Sequence, residues 1–410
     1  MILVYSGAMI LVIAFVSPTG LTAIPWAFLL KNKLHLSANG VASFVLLSSI
    51  PWYFAIVFGA VRDFWNPFGL GDRGYFIFFG ALASAILGLF AFAPVSVAML
   101  FAATILSGIA FIFMFAAWNG LGSTLGRQFA MSGQLSAVWN IAGTAALVAG
   151  LAAGGVLSDR LEHLSATAAA RTLFLLSAAI MALIAVLGLW KPKAVFANLH
   201  RARAENRHLV ADMMRLARHR PIYPALIILL LWNFSPATQT VLQYYLSNTL
   251  HTSDAQWGAY NAISSLSFLP AYALFGFLSP RYPLKTLLWW GTLVGIPQVV
   301  PLLFVHSASG VLLTAVLIGL LGGVCTAAYF DLLIRSCPKG LEGTLMMMSW
   351  SFYALAGNFG NLWGTDLYEH HGGFVACVAA TTIVYALILP VLLLIPERLI
   401  ASADGQAVEQ

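Results

Sequence analysis

Twelve long apolar stretches, separated by short polar breaks, run the length of the 410-residue chain. They fall at about residues 4–30, 38–62, 74–94, 96–119, 132–157, 169–190, 222–248, 255–279, 284–304, 308–334, 343–367 and 373–395. Each approaches the roughly 20 apolar residues that a helix needs to cross the ~30 Å hydrocarbon core of a bilayer. Helices satisfy their own backbone hydrogen bonds in lipid, so the pattern predicts an all-α integral membrane protein with twelve transmembrane helices. Composition strengthens this: 60% of residues are hydrophobic and 8% charged, whereas a soluble domain carries about 25% charge. Too little sequence lies outside the spans to form a soluble enzyme domain.

Charge sets an expected orientation. Arg62, Arg73, Arg127, Lys191, Lys193, Arg201, Arg203, Arg207, Arg215, Arg218, Arg220, Arg281, Lys285, Arg335, Lys339 and Arg398 fall on one side of the predicted topology. Lys31, Lys33, Arg160 and Arg171 fall on the other. Basic loops stay in the cytoplasm, which places both termini inside, in a bacterial inner (plasma) membrane. Topology and anionic headgroups account for the net charge of +6 without a nucleic-acid partner. Cys325, Cys337 and Cys377 are too scattered for a disulfide framework or a Cys-rich metal site. The first span is too long for a signal-peptide core and reads as a retained helix.

Composition changes clearly over Lys191–Tyr223, which holds eight of the twenty basic residues. Leu209, Val210, Met213 and Leu216 recur near helical spacing there, which predicts an amphipathic helix on the inner surface. Either side of this linker the sequence repeats. Asn32-Lys-Leu-His-Leu-Ser37 resembles Asn248-Thr-Leu-His-Thr-Ser253, and Gly59-Ala-Val-Arg-Asp63 corresponds to Gly276-Phe-Leu-Ser-Pro280 followed by Arg281. A constant offset of 216–217 residues indicates two parallel six-helix halves. The expected organisation is an N-terminal bundle over 1–190, a basic linker over 191–221, a C-terminal bundle over 222–398 and a tail over 399–410.

Between spans two and three, Gly59-x-x-x-Asp63 precedes Arg73 and Tyr75. A small residue lets helices approach, and a carboxylate can meet the positive N-terminus of a neighbouring helix. Arg73 can pair with an acid, so the cluster predicts a latch that breaks and reforms. Pro280 replaces the acid in the second half, which makes the latch one-sided. This loop resembles the signature loop of the major facilitator superfamily.

Three patches resemble the folate–biopterin transporter family more closely. They are Phe28-Leu-Leu-Lys-Asn-Lys-Leu-His-Leu-Ser37 with Pro51-Trp52, Gln243-Tyr-Tyr-Leu-Ser-Asn-Thr-Leu250 with Gly258 and Tyr282-Pro-Leu-Lys-Thr-Leu-Leu288, and Cys337-Pro-Lys-Gly-Leu-Glu-Gly-Thr344. In the last, Pro338 and Gly340 shape a turn and Glu342 favours the helix start. Ala55 and Ile56 depart from the family's Lys and Pro at those positions. The resemblance implies the major facilitator fold, two pseudo-symmetric bundles around a midplane site, and secondary transport of a small polar organic solute by alternating access. A folate or pterin is the first expected class. A muropeptide-type or amphipathic-compound permease or exporter, and a membrane sensor that moves nothing, are the alternatives.

Amides and aromatics within the spans are the candidate substrate ligands, since amides in hydrocarbon are costly unless paired. These are Trp139 and Asn140 on helix five, Asn233, Gln239 and Gln243 on helix seven, Tyr329 on helix ten, and Asn358 and Asn361 on helix eleven. Each has a competing role in bonding between helices. Gly59, Asp63, Arg73, Asp331, Arg335 and Glu342 are the candidate gating residues. Asp331 and Arg335, at i and i+4, can pair as a structural unit or handle a proton. Met346-Met347-Met348 points in three directions around a helix and forms no metal site. His370-His371 reads as an outer turn. No Walker loop, nucleophile elbow or zinc spacing occurs; no enzyme activity, cofactor or metal is expected, and the partners are a small-molecule substrate and the bilayer around a monomer. Asp63→Ala is expected to leave folding intact and slow solute uptake into membrane vesicles; unchanged uptake would refute the latch.

Overall fold

A computed structural model describes every residue except 18–19, 37–43, 45–46, 197–208, 239, 252–253, 306 and 405–410. The described chain is helical throughout. In order its helices are α1 (Ile2–Val16), α2 (Ala23–Phe28), α3 (Ile50–Tyr53), α4 (Ala55–Phe64), α5 (Asp72–Phe90), α6 (Val97–Gln128), α7 (Ser132–Glu162), α8 (Ala166–Leu189), α9 (Lys193–Phe196) and α10 (Leu209–Arg218). The second series is α11 (Ile222–Asn233), α12 (Thr240–Thr249), α13 (Asp254–Leu278), α14 (Leu284–Gly295), α15 (Ala308–Ser336), α16 (Glu342–His370), α17 (Gly373–Ala386), α18 (Ile388–Leu392) and α19 (Glu397–Ile400). Eight segments among the described residues are long and apolar enough to cross a membrane.

The other predicted spans differ for identifiable reasons. The first is broken after Val16, and the seventh after Asn233. A Ser-Pro pair stands at both points, Ser17-Pro18 and Ser235-Pro236, and proline cannot donate the helical hydrogen bond. The second is interrupted at Phe54, and part of it lies outside the described residues. The eleventh is a continuous 29-residue helix whose Ser, Asn and Gly content lowers its hydropathy. Linker residues 209–218 do form a helix, with Leu216 buried and Met214, Arg215 and Arg218 exposed.

The chain divides into two compact units. The first holds Met1–Thr124, Ala142–Met213 and the short segment Lys339–Met348. The second holds Leu125–Ile141, Met214–Pro338 and Ser349–Gln410. Each unit therefore incorporates the start of one long helix, α16 or α7, whose remainder belongs to the other.

In the first unit α5 packs along α8. Phe79 stacks on Phe113 with ring centroids 4.3 Å apart, flanked by Tyr75 and Trp65. The Tyr75 hydroxyl donates to the carbonyls of Val61 and Trp65, closing the C-terminus of α4. In the second unit α15 packs against α13 and α14, and Tyr245 stacks on Phe374 at 3.9 Å.

Each unit also braces its broken helix in the same way. At the first break Leu21 N–H donates to the Phe15 carbonyl (2.8 Å) and the Ser17 hydroxyl to the Ala14 carbonyl (2.8 Å). Gly150 and Gly154 of α7 lie directly against it: a β-carbon on Gly154 would sit 2.5 Å from the Leu21 carbonyl oxygen. At the second break Ala237 N–H donates to Thr381 Oγ1 (3.0 Å) and Thr240 N–H to Asn361 Oδ1 (3.2 Å). Here Gly360 and Gly364 of α16 provide the contact, and a β-carbon on Gly364 would sit 2.2 Å from the Pro236 carbonyl oxygen. Both are G-x-x-x-G pairs, the spacing that lets membrane helices approach at the backbone, and they lie 210 residues apart.

Gly155 is the natural control, because a β-carbon there meets nothing closer than Ile24 Cδ1 at 4.0 Å. Gly154→Leu and Gly364→Leu should each destabilise the protein by ~1–3 kcal/mol or more through overpacking. Gly155→Leu should stay near wild type. Heat-induced unfolding of the three detergent-purified variants checks this.

Candidate functional site

Three carboxylates and one guanidinium gather at the end of α4 in the first unit. Asp63 is buried, and its side chain caps the start of α16. Oδ1 accepts from Gly343 N–H (3.0 Å), and Oδ2 from both the N–H and the hydroxyl of Thr344 (2.7 Å each). The first amides of a helix have no partner within it and carry a partial positive charge, so a carboxylate there is both a cap and a counter-charge. Arg62 holds the arrangement in place. Its Nη1 is 2.8 Å from Asp63, while Nε and Nη2 make a bidentate pair with Asp72, both at 2.7 Å. Burial without pairing would be prohibitive; two-point pairing of this kind offsets it. Asp72 starts α5, so Arg62 ties α4 and α5 together while Asp63 takes hold of α16.

Close approach requires the glycines. A β-carbon on Gly59 would lie 2.3 Å from the Gly343 carbonyl oxygen, and one on Gly343 would lie 2.8 Å from Asp63 Oδ1. Glu342 sits at the first position of α16, where its carboxylate accepts from Gly340 N–H at 2.9 Å. Gly59, Asp63 and Glu342 are thus brought together.

Arg73 occupies a different place from the acid pairing expected of it. Its guanidinium donates to the carbonyls of Gly188 (3.0 Å) and Leu189 (2.9 Å) at the C-terminus of α8 and lies 5.7 Å from the Phe196 ring centroid. It caps a helix with unpaired carbonyls, a favourable position for a cation. Arg62 takes the role sequence reasoning gave to Arg73, and Asp72 is its second partner. The signal was present in the run Arg62-Asp63 followed by Asp72. Two of the four basic residues expected on the opposite side likewise meet helix ends: Lys33 donates to the Leu164 carbonyl and Arg171 to that of Ala91.

In the second unit Asp331 and Arg335 form the expected pair on α15, at 2.9 and 3.1 Å, with Asp331 fully buried. Arg335 also bonds to Asp404 (2.9 Å), the Ser402 carbonyl (2.8 Å) and the Ser132 hydroxyl (3.2 Å). Sequence reasoning missed Asp404, whose place depends on a contact spanning some 70 residues.

The candidate substrate ligands all belong to the second unit. Asn140 and Asn233 donate to carbonyls one turn back on their own helices, Ser136 and Leu229. Asn361 braces the break before α12. Tyr329 is packed inside, its hydroxyl 2.8 Å from Thr292 Oγ1 and its ring edge-on to Trp232. Trp139 is buried, whereas Gln243 and Asn358 are exposed. Gln239 lies outside the described residues.

Comparison with known proteins agrees with this architecture. The chain is 22% identical over 362 residues to a folate-biopterin transporter from Synechocystis sp., covering 82% of this chain and 69% of that one. Among solved structures it resembles the proton:xylose symporter XylE bound to 6-bromo-6-deoxy-D-glucose (TM-score 0.70, 14% identity, 95% of this chain and 94% of that chain). It also resembles FucP in the outward conformation (TM-score 0.71, 12% identity, 96% and 98%) and the human organic anion transporter MFSD10 (TM-score 0.64, 17% identity, 95% and 98%). At these identities the solved structures establish the fold. The profile of the Major Facilitator Superfamily matches residues 7–361, and the chain belongs to that family.

Proposed function

We propose that this protein is a secondary transporter that carries a small polar organic solute across the membrane by alternating access. The observation that carries this reading is the clasp of Asp63 on Gly343 and Thr344, which joins the loop after the second span to the start of the eleventh. A fully buried ion cluster is a costly way to gain stability. It makes functional sense as a bistable contact that holds one conformation and yields to another. The bias of sixteen basic residues against four supports a cytoplasmic position for this clasp, with both termini inside.

The two sequence halves, 1–190 and 222–398, would rock about a midplane site. The half-exposed amides Asn140, Asn233 and Asn361, with Gln239, Gln243, Asn358 and Trp139, are the residues offered for solute contact. Tyr329, sealed against Thr292 and Trp232, would support them from behind. Flat aromatic rings beside amides suit a planar heterocycle. The Synechocystis relative and the three matching sequence patches make a pterin or folate the first class to test. The solute is carried unchanged, by a monomer working in the inner membrane.

Purified protein should gain thermal stability with a folate or a pterin and not with sugars, amino acids or peptides. A ligand at a hundred times its Kd adds about 2.7 kcal/mol to apparent stability. Proteoliposomes should then take up the stabilising compound. Stabilisation by another class alone would replace the substrate, and binding without flux would favour a sensor over a transporter.

A further inference from the structure

Sequence duplication leaves the second half without a clasp acid, because Pro280 stands where the first half has Asp63. The helix start it would have capped is nevertheless occupied. Asp404 Oδ2 accepts from Gln134 N–H at 2.8 Å, and Oδ1 lies 3.5 Å from the Ser132 hydroxyl, at the first turn of α7. The Asp404 N–H donates to the carbonyl of Ser279 at 3.0 Å, the residue immediately before Pro280. A residue from beyond the last helix is therefore pinned where the loop acid is missing.

The correspondence with the first clasp holds position by position. Gly133 and Gln134 stand 210 residues before Gly343 and Thr344, the offset that also relates the two G-x-x-x-G pairs. A β-carbon on Gly133 would lie 2.7 Å from Asp404 Oδ2, as one on Gly343 would crowd Asp63. Gly276, the counterpart of Gly59, would meet Ala137 Cβ at 2.8 Å, and Gly59 would meet Met347 Cβ at 2.8 Å; Ala137 and Met347 again differ by 210. Arg335 plays the part of Arg62, joining its acid to a second carboxylate, Asp331.

We propose that Asp404 is the clasp acid of the second unit, and that segment 399–404 is a built-in latch whose docking on the start of α7 controls the conformational state of the transporter. The contact is seen whether or not transport is assigned; its consequence for cycling rests on the transport reading.

The cluster also links docking to pH. Two buried carboxylates, Asp331 and Asp404, share the single guanidinium of Arg335, and the start of α7 contributes only neutral groups, Ser132, Gly133 and Gln134. The adjoining elements also carry the exposed Lys285–Glu397 pair, Arg281 and Arg398. Burial, and then repulsion from Asp331, push the Asp404 carboxyl up to about 6 against the pull of Arg335. Released into water, the same carboxyl returns to about 3.9. The docked form thus binds the proton more tightly, so docking strengthens as pH falls through about 6 and gains nothing further below about 4, up to roughly a hundredfold in all.

Hydrogen exchange of the full-length protein tests this without relying on transport. The Gln134 amide should exchange at least about tenfold faster in Asp404→Ala than in wild type at pH 7, the scale of losing a charge-assisted hydrogen bond. Thr344, capped by Asp63, should be unaffected. Wild-type protection of Gln134, corrected for intrinsic exchange, should rise from pH 7 to pH 5. Asp404→Asn, a neutral amide of the same shape, should keep its protection and lose that pH dependence. Equal exchange of Gln134 in Asp404→Ala and wild type would overturn the latch. A pH response surviving in Asp404→Asn would overturn the linkage. Failure of folate binding or of flux would leave both results standing.

Discussion

A carboxylate on the bare amides of a helix start is the interaction on which this structure depends. Neither acid involved could be buried alone. Asp63 is tolerable because the first turn of α16 supplies two N–H donors and a hydroxyl, and because Arg62 neutralises it from the other side. Removing Arg62 would leave the buried carboxylates without their counter-charge, a loss of about 3–5 kcal/mol, whereas removing Asp63 leaves Arg62 paired with Asp72. The glycines on both helices are consequences of the same requirement, since no side chain fits between a carboxylate and the amides it caps. Contacts of this kind are strong when complete and worth little when loosened.

The fold was legible in the sequence because hydropathy alone reports membrane spans. Helices α6, α7, α8, α15 and α17 lie where their apolar runs predict. The two broken helices were less visible. The run from Leu3 to Leu30 reads as continuous on a hydropathy scale, and only the Ser-Pro pair marks the interruption. Its repetition at Ser235-Pro236 is the signal that pairs the two breaks. The matching glycine pairs on α7 and α16 share an offset of 210 residues, not the 216–217 of the loop motifs. Loop lengths differ between the halves, so one constant register does not run through both.

The clasp residues were legible in part. Asp63, Gly59 and Glu342 carried local patterns, and the i, i+4 spacing of Asp331 and Arg335 announced their pair. Choosing between Arg62 and Arg73 needed the helix ends, because a guanidinium beside unpaired carbonyls and one beside carboxylates look alike in sequence. Asp404 carried no local pattern at all. A residue that acts through a partner 270 positions away shows itself only once the loop it replaces is seen to lack an acid.

The two clasps differ in how their acids are delivered. Asp63 rides on α4 and arrives with that helix. Asp404 hangs four residues beyond the short helix Glu397–Ile400, and so behaves as a tethered ligand. Its occupancy would follow the effective concentration that the length and stiffness of that tether set. Lengthening the connection by a few residues would weaken capture while leaving the carboxylate's own partners in place, so the two clasps can be tuned independently through chain geometry.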